Sequence, residues 1–146
     1  MRLLVVLLLL QASAAVSAQE WSSVTCGASL GQAYSFFAPR SDSVATQGDF
    51  NSDGTADFAL LLEAKAAPHK AAVGVCLSNE PRPLLITSPY VSAKIFTKPK
   101  GTEYMDFDSE STGVYEHDAI SVSDGAWLGA SYILRAGVFV QVIDSD

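Results

Sequence analysis

Residues 48–62 read GDFNSDGTADFALLL, and the abrupt change inside that stretch decides how the chain is read. Three aspartates and an asparagine fall within the nine residues Asp49–Asp57, and the apolar run Phe58–Leu62 follows at once. Carboxylates held that close repel one another unless water or a cation separates them. Written out, the pattern is Asp49-x-Asn51-x-Asp53-Gly54-x-x-Asp57. Oxygen ligands at alternate positions converge when the backbone wraps round a hard cation. A glycine at the sixth position gives the sharp turn, and the seventh residue offers its carbonyl. Here the sixth is Gly54 and the seventh Thr55, so the first half matches an EF-hand loop. The second half departs from it: the twelfth position is Leu60, where an EF-hand needs a bidentate glutamate, and no helical pattern flanks the loop. The pattern closes at Asp57 and runs straight into FALLL, which predicts a strand-loop-strand site for Ca2+. Mg2+ demands a stricter octahedron and suits it less. Asp, Asn and Gly also make good turns that bind nothing, but five matched positions in nine favour the ion.

The rest of the chain has the texture of short strands. FALLLEA and KAAVGVCLS are apolar runs separated by KAAPHK, read as a loop. The prolines of EPRPLLITSP confine it to an edge strand or a loop. VSAKIFTK alternates and KPKG marks a turn. HDAISVSDGAW reads as a strand, and SYILRAGVFVQVI as two strands about a tight turn at Ala136-Gly137. One helix is expected in SLGQAYSFFAP, starting at a serine cap and stopping before Pro39. The expected fold is a β-rich (all-β or α+β) single small domain of antiparallel strands and hairpins, with one or two short helices.

On these residues the loop resembles the calcium-loop motif of the FG-GAP and VCBS repeats, known from the integrin α-subunit β-propeller. From about Gly48 to the end, the chain is similar to small exported bacterial proteins that carry a single such motif. In them an apolar strand follows the loop and a C-terminal hairpin with an aromatic run ends in Ser-Asp, here DFALLLEAK and HDAISVSDGAWLGASYILRAGVFVQVIDSD. The resemblance implies Ca2+ ligation by Asp49, Asn51, Asp53 and Asp57, with the carbonyl of Thr55. It does not imply a propeller, which needs several four-stranded blades, and the FG…GAP half of the repeat is not evident.

Residues 1–18 read as a signal peptide: Arg2 is a positive start, Leu3–Leu10 is unbroken and apolar, and AVSA ends small-x-small. Cleavage there would leave residues 19–146 as one domain of 128 residues with eight basic and sixteen acidic side chains. No lipoprotein attachment site or spanning helix is read in it, so the expected location is periplasmic or secreted. The acidic balance argues against nucleic acid and anionic membranes as partners. In an exported chain the two cysteines, Cys26 and Cys76, suggest one disulfide.

Little in the sequence points to catalysis. His69 and His117 read as surface histidines, and His117-Asp118, on a strand, would point to opposite faces. A second acidic cluster, Asp106, Asp108 and Glu110, alternates at strand spacing and reads as a solvated face, with a weak second ion site as the alternative. Tyr104, Phe107, Tyr115, Trp127, Tyr132 and Phe139 read as core. The expected function is a non-enzymatic, calcium-binding interaction module with an unknown protein partner. The first alternative is an inhibitor or immunity-type protein blocking a secreted enzyme through its acidic face, and the second is a hydrolase whose site the sequence does not display.

Overall fold

Among the described residues every strand pairing is antiparallel, and the pairings form two main sheets and a separate hairpin. The computed structural model describes residues 20–88, 94–125 and 128–145, so the signal-peptide reading and Trp127 lie outside the described residues. In chain order the elements are α1 (Ser23–Ala33), β1 (Phe37–Pro39), β2 (Thr46–Gly48), β3 (Asp57–Ala64), β4 (Ala67–Cys76) and β5 (Leu84–Ser88). There follow β6 (Lys94–Lys98), β7 (Glu103–Asp106), β8 (Ser111–Val114), β9 (Ala119–Ser123), β10 (Leu128–Arg135) and β11 (Val138–Ser145). The first sheet runs β1-β3-β4-β5, with β2 sharing the β3 edge beside β1, and the second runs β11-β10-β9-β6. The domain is β-rich with one short helix, and among the described residues there is no closed barrel or propeller.

The apolar run after the loop is continuous because β3 is covered on both faces. Ala59 and Leu61 enter the core between the sheets, while Phe58, Leu60 and Leu62 meet α1. Val73 and Val75 of β4 face the same inter-sheet core, where Ile120, Val122, Ala130 and Tyr132 answer from the second sheet. The opposite face of β4 presents Ala72, Gly74 and Cys76 to the helix. Small residues are needed there, since a Cβ on Gly74 would sit 2.5 Å from both methyls of Leu30. Cys26 and Cys76 form a disulfide that fastens α1 to β4 across 50 residues, worth roughly 4 kcal/mol in the chain-entropy model. Such bonds persist in oxidising compartments. Among the described residues no helix is long and apolar enough to cross a membrane.

Several local expectations need correction. The helix lies earlier than SLGQAYSFFAP, because Ser22 and Thr25 cap each other's backbone N–H groups and Cys26 and Leu30 supply its buried face. Residues 37–39 instead extend along β3, with Pro39 on the edge where its missing N–H costs nothing. The KAAPHK loop shrinks to a turn at Lys65-Ala66, since β4 already begins at Ala67. His69 therefore lies on β4. The Ala136-Gly137 turn is as read: both residues have positive φ (49° and 79°), and Arg135 pairs with Val138 across it. The β5 strand is an edge, as the prolines before it require.

Candidate metal loop

The loop is closed at its neck by pairing of Gly48 with Asp57, the last residue of β2 with the first of β3. Space at the neck is tight, as a Cβ on Gly48 would lie 2.6 Å from the Phe50 ring. Phe50 is fully buried in the inter-sheet core, so one loop side chain plugs the sandwich while its neighbours remain outside. Asp57 is also fully buried, and its carboxylate accepts three backbone N–H groups: Phe50 at 2.8 Å, Asn51 at 3.2 Å and Ser78 at 2.7 Å. Burial raises the Asp57 carboxyl above its ordinary range, and these amide bonds oppose that shift.

Further out, the side chains fold back on the turn. Asp49 accepts from the N–H groups of Asp53 (3.0 Å) and Gly54 (3.1 Å), and Asn51 accepts from Asp53 N–H (3.1 Å). Asp53 takes Thr55 N–H at 2.8 Å, the Asn51 amide at 3.0 Å and the Ser78 hydroxyl. The Ser78 bond, foremost, holds the Asp53 carboxyl below its usual value. Gly54 has φ +81° and Ser52 φ +59°, the two left-handed positions that let the chain curl. Asp49, Asn51 and Asp53 thus lie on one rim, Thr55 is half-buried beside them, and Asp57 sits beneath. As they stand, no three Asp, Glu, His or Cys side chains among the described residues converge as a metal cluster. Their oxygens are turned to N–H groups of the same loop and to Ser78.

Three residues that the sequence reading did not place here belong to the site. Ser78, just past β4, touches Asp53, Asn51 and Asp57. Asp118 accepts Asp49 N–H at 3.0 Å and Lys100 N–H at 2.9 Å, tying the loop to the second sheet. His117 Nδ1 lies 2.6 Å from Ser52 Oγ. His117 and Asp118 are not on a strand but in the turn before β9, so both reach the loop. The only hint in the sequence was that a histidine and an aspartate precede a strand; nothing in CLSN marked Ser78.

No family model, curated protein or solved structure matches the chain significantly. The chemistry has to be read from the loop itself. Four carboxylates, of Asp49, Asp53, Asp57 and Asp118, surround one nine-residue turn. The ion pairs among the described residues, Arg40–Asp42 and Lys98–Asp144, involve none of them. The Ser52–His117 contact has the form of a nucleophile beside a base, but no carboxylate among the described residues bonds the other imidazole nitrogen to orient the ring. Asp106, Asp108 and Glu110 do not share a strand face. They lie at the end of β7 and in the turn to β8, where Asp106 accepts Asp108 N–H (3.2 Å) and the Ser109 hydroxyl (2.6 Å). Phe107 is 45% exposed in that turn and is not core, whereas Tyr115 and Tyr132 are buried.

Proposed function

We propose that the chain is an exported, non-enzymatic interaction module whose 49–57 loop takes up Ca2+ as a structural ion. The observation that carries this reading is an oxygen-rich turn, pinned by Phe50 and Asp57, whose carboxylates face no protein cation among the described residues. Asp49, Asn51, Asp53 and the Thr55 carbonyl would hold the ion at the rim. A carboxylate has about four lone-pair sites, so Asp57, which accepts three N–H groups, keeps room for one more partner. The ion would replace hydrogen bonds that the rim carboxylates now make to the turn, and would relieve their mutual repulsion. The likeness to FG-GAP and VCBS loops supports the choice of Ca2+, and the apolar stretch 3–10 supports export.

At about 1 mM Ca2+ and a dissociation constant of about 0.1 mM, binding adds about 1.4 kcal/mol to stability. The expected result is a protein that stays folded in chelator and melts roughly 5 °C lower than in calcium. Equal melting temperatures in the two conditions would sink the metal reading. The alternative of an inhibitor acting through an acidic face is favoured by one feature, the exposed carboxylates of the β7–β8 hairpin.

A further inference from the structure

The outer face of the second sheet holds a polar group that the loop does not use. Asp144 is 2% exposed and accepts Lys98 Nζ at 2.7 Å, Ser131 Oγ at 3.2 Å and the Tyr115 hydroxyl. This ion pair floors a cavity of about 480 Å3 between the sheet and the β7–β8 hairpin, within the size range of ligand sites. Glu103, Met105, Thr112 and Val114 line its hairpin wall, where Glu103 pairs with Val114 and Met105 with Thr112. The wall is held in place: Tyr104 lies across Gly113 and packs on the Tyr115 ring at 4.8 Å, and Phe107 N–H bonds Ile143 C=O at 2.8 Å.

Charge and polarity select the occupant. Lys98 and Asp144 offset each other, which leaves Glu103, exposed and in no ion pair among the described residues. Residues 102–116 carry five carboxylates (Glu103, Asp106, Asp108, Glu110, Glu116) and no Lys, Arg or His. Met105 and Val114 are 47% and 50% exposed, apolar surface kept out of the core at the cavity mouth. Arg135 meets the Tyr104 hydroxyl at 3.4 Å beside the hairpin, against the five carboxylates of 102–116. Apolar surface in a field that stays mainly negative suits a partner that is apolar and positive. An anionic ligand, nucleic acid or anionic membrane would meet the five carboxylates first.

We propose that this pocket receives a lysine or arginine side chain from a basic, apolar-flanked segment of a protein partner. The aliphatic stem lies on Met105 and Val114, the cation meets Glu103, and the remaining hairpin carboxylates steer the approach. The proposal rests on the interaction-module reading and is independent of calcium.

The test titrates the protein into a fluorescein-labelled peptide alternating lysine with leucine, followed by anisotropy, with a glutamate–leucine peptide as the contrast. The lysine peptide should bind, Glu103→Lys should weaken it about tenfold, and Met105→Ser about threefold. Glu80→Lys, the same charge reversal at an exposed residue outside both the hairpin and the 49–57 loop, should leave the affinity unchanged, in calcium and in chelator alike. Absent binding, or equal weakening by Glu103→Lys and Glu80→Lys, overturns the proposal, because attraction would then be absent or general to an acidic protein. Tighter binding of the glutamate peptide overturns the basic partner while leaving an interaction module standing. Whether the loop binds calcium is read separately.

Discussion

Two acidic turns of similar composition are used in opposite ways. The loop at 49–57 turns its carboxylates inward onto its own backbone and buries Asp57 completely, whereas the turn at 106–110 leaves Asp108 and Glu110 in solvent. What differs is the strand that follows. Asp57 opens β3, apolar on both faces and covered on both, so its carboxylate is drawn into the neck and must be satisfied there by three amides. Asp106 ends β7, a short strand of a hairpin on the outside of the sandwich, and merely closes its own turn. The same residue type is a structural clamp in one place and surface charge in the other.

The contrast can be broken most sharply at Asp57. Its replacement by alanine leaves three amide N–H groups at the neck without their acceptor and should cost about 3 kcal/mol, read by urea denaturation in chelator so that no ion contributes. A loss below about 1 kcal/mol would mean that the loop is not clamped from beneath.

The hairpin has a clamp of its own, in Tyr115 rather than in an acid. Burial, and then the bond to Asp144, raise the Tyr115 hydroxyl above the ordinary phenol range. Tyr115→Phe should cost about 2 kcal/mol, the value of a hydrogen bond to a charged group. The pH dependence has a definite sign. The folded pKa lies above the unfolded value of about 10, so this contribution is complete below about pH 10 and is lost as pH rises towards the folded pKa. Denaturation curves between pH 8 and 11.5 should show a steeper alkaline decline for the wild type than for Tyr115→Phe. Parallel curves would remove Tyr115 from the hairpin's attachment. The smallest effect is expected at Asp106→Ala, well below that of Tyr115→Phe, and a loss near that of Asp57→Ala would erase the distinction between the two turns.

Much of the sandwich could be read from local pattern. FALLL and KAAVGVC became β3 and β4, and the Ala136-Gly137 turn fell where positive φ was needed. The cysteine pair formed across the helix and sheet. The helix was misplaced because Ser29 and Ser22 are both plausible caps, and only burial of Cys26 and Leu30 against β4 decides between them. The acidic stretch at 106–110 showed strand spacing, yet its reversal into a hairpin depends on Tyr104 crossing Gly113, a contact between strands that no local pattern carries. At the loop, the sequence showed the residues within the turn. Ser78 and Asp118 come from 21 and 69 residues away along the chain from their partners Asp57 and Asp49, so their place there follows from topology.

Asp49, Asn51, Asp53, Thr55 and Asp57 are proposed together as a calcium loop. Calorimetric titration of Ca2+ into the wild type and Asp53→Ala, at fixed ionic strength, tests it most directly. One site per chain is expected, with a dissociation constant of about 0.1 mM, lost in the variant. No binding to the wild type, or equal binding to Asp53→Ala, would contradict it.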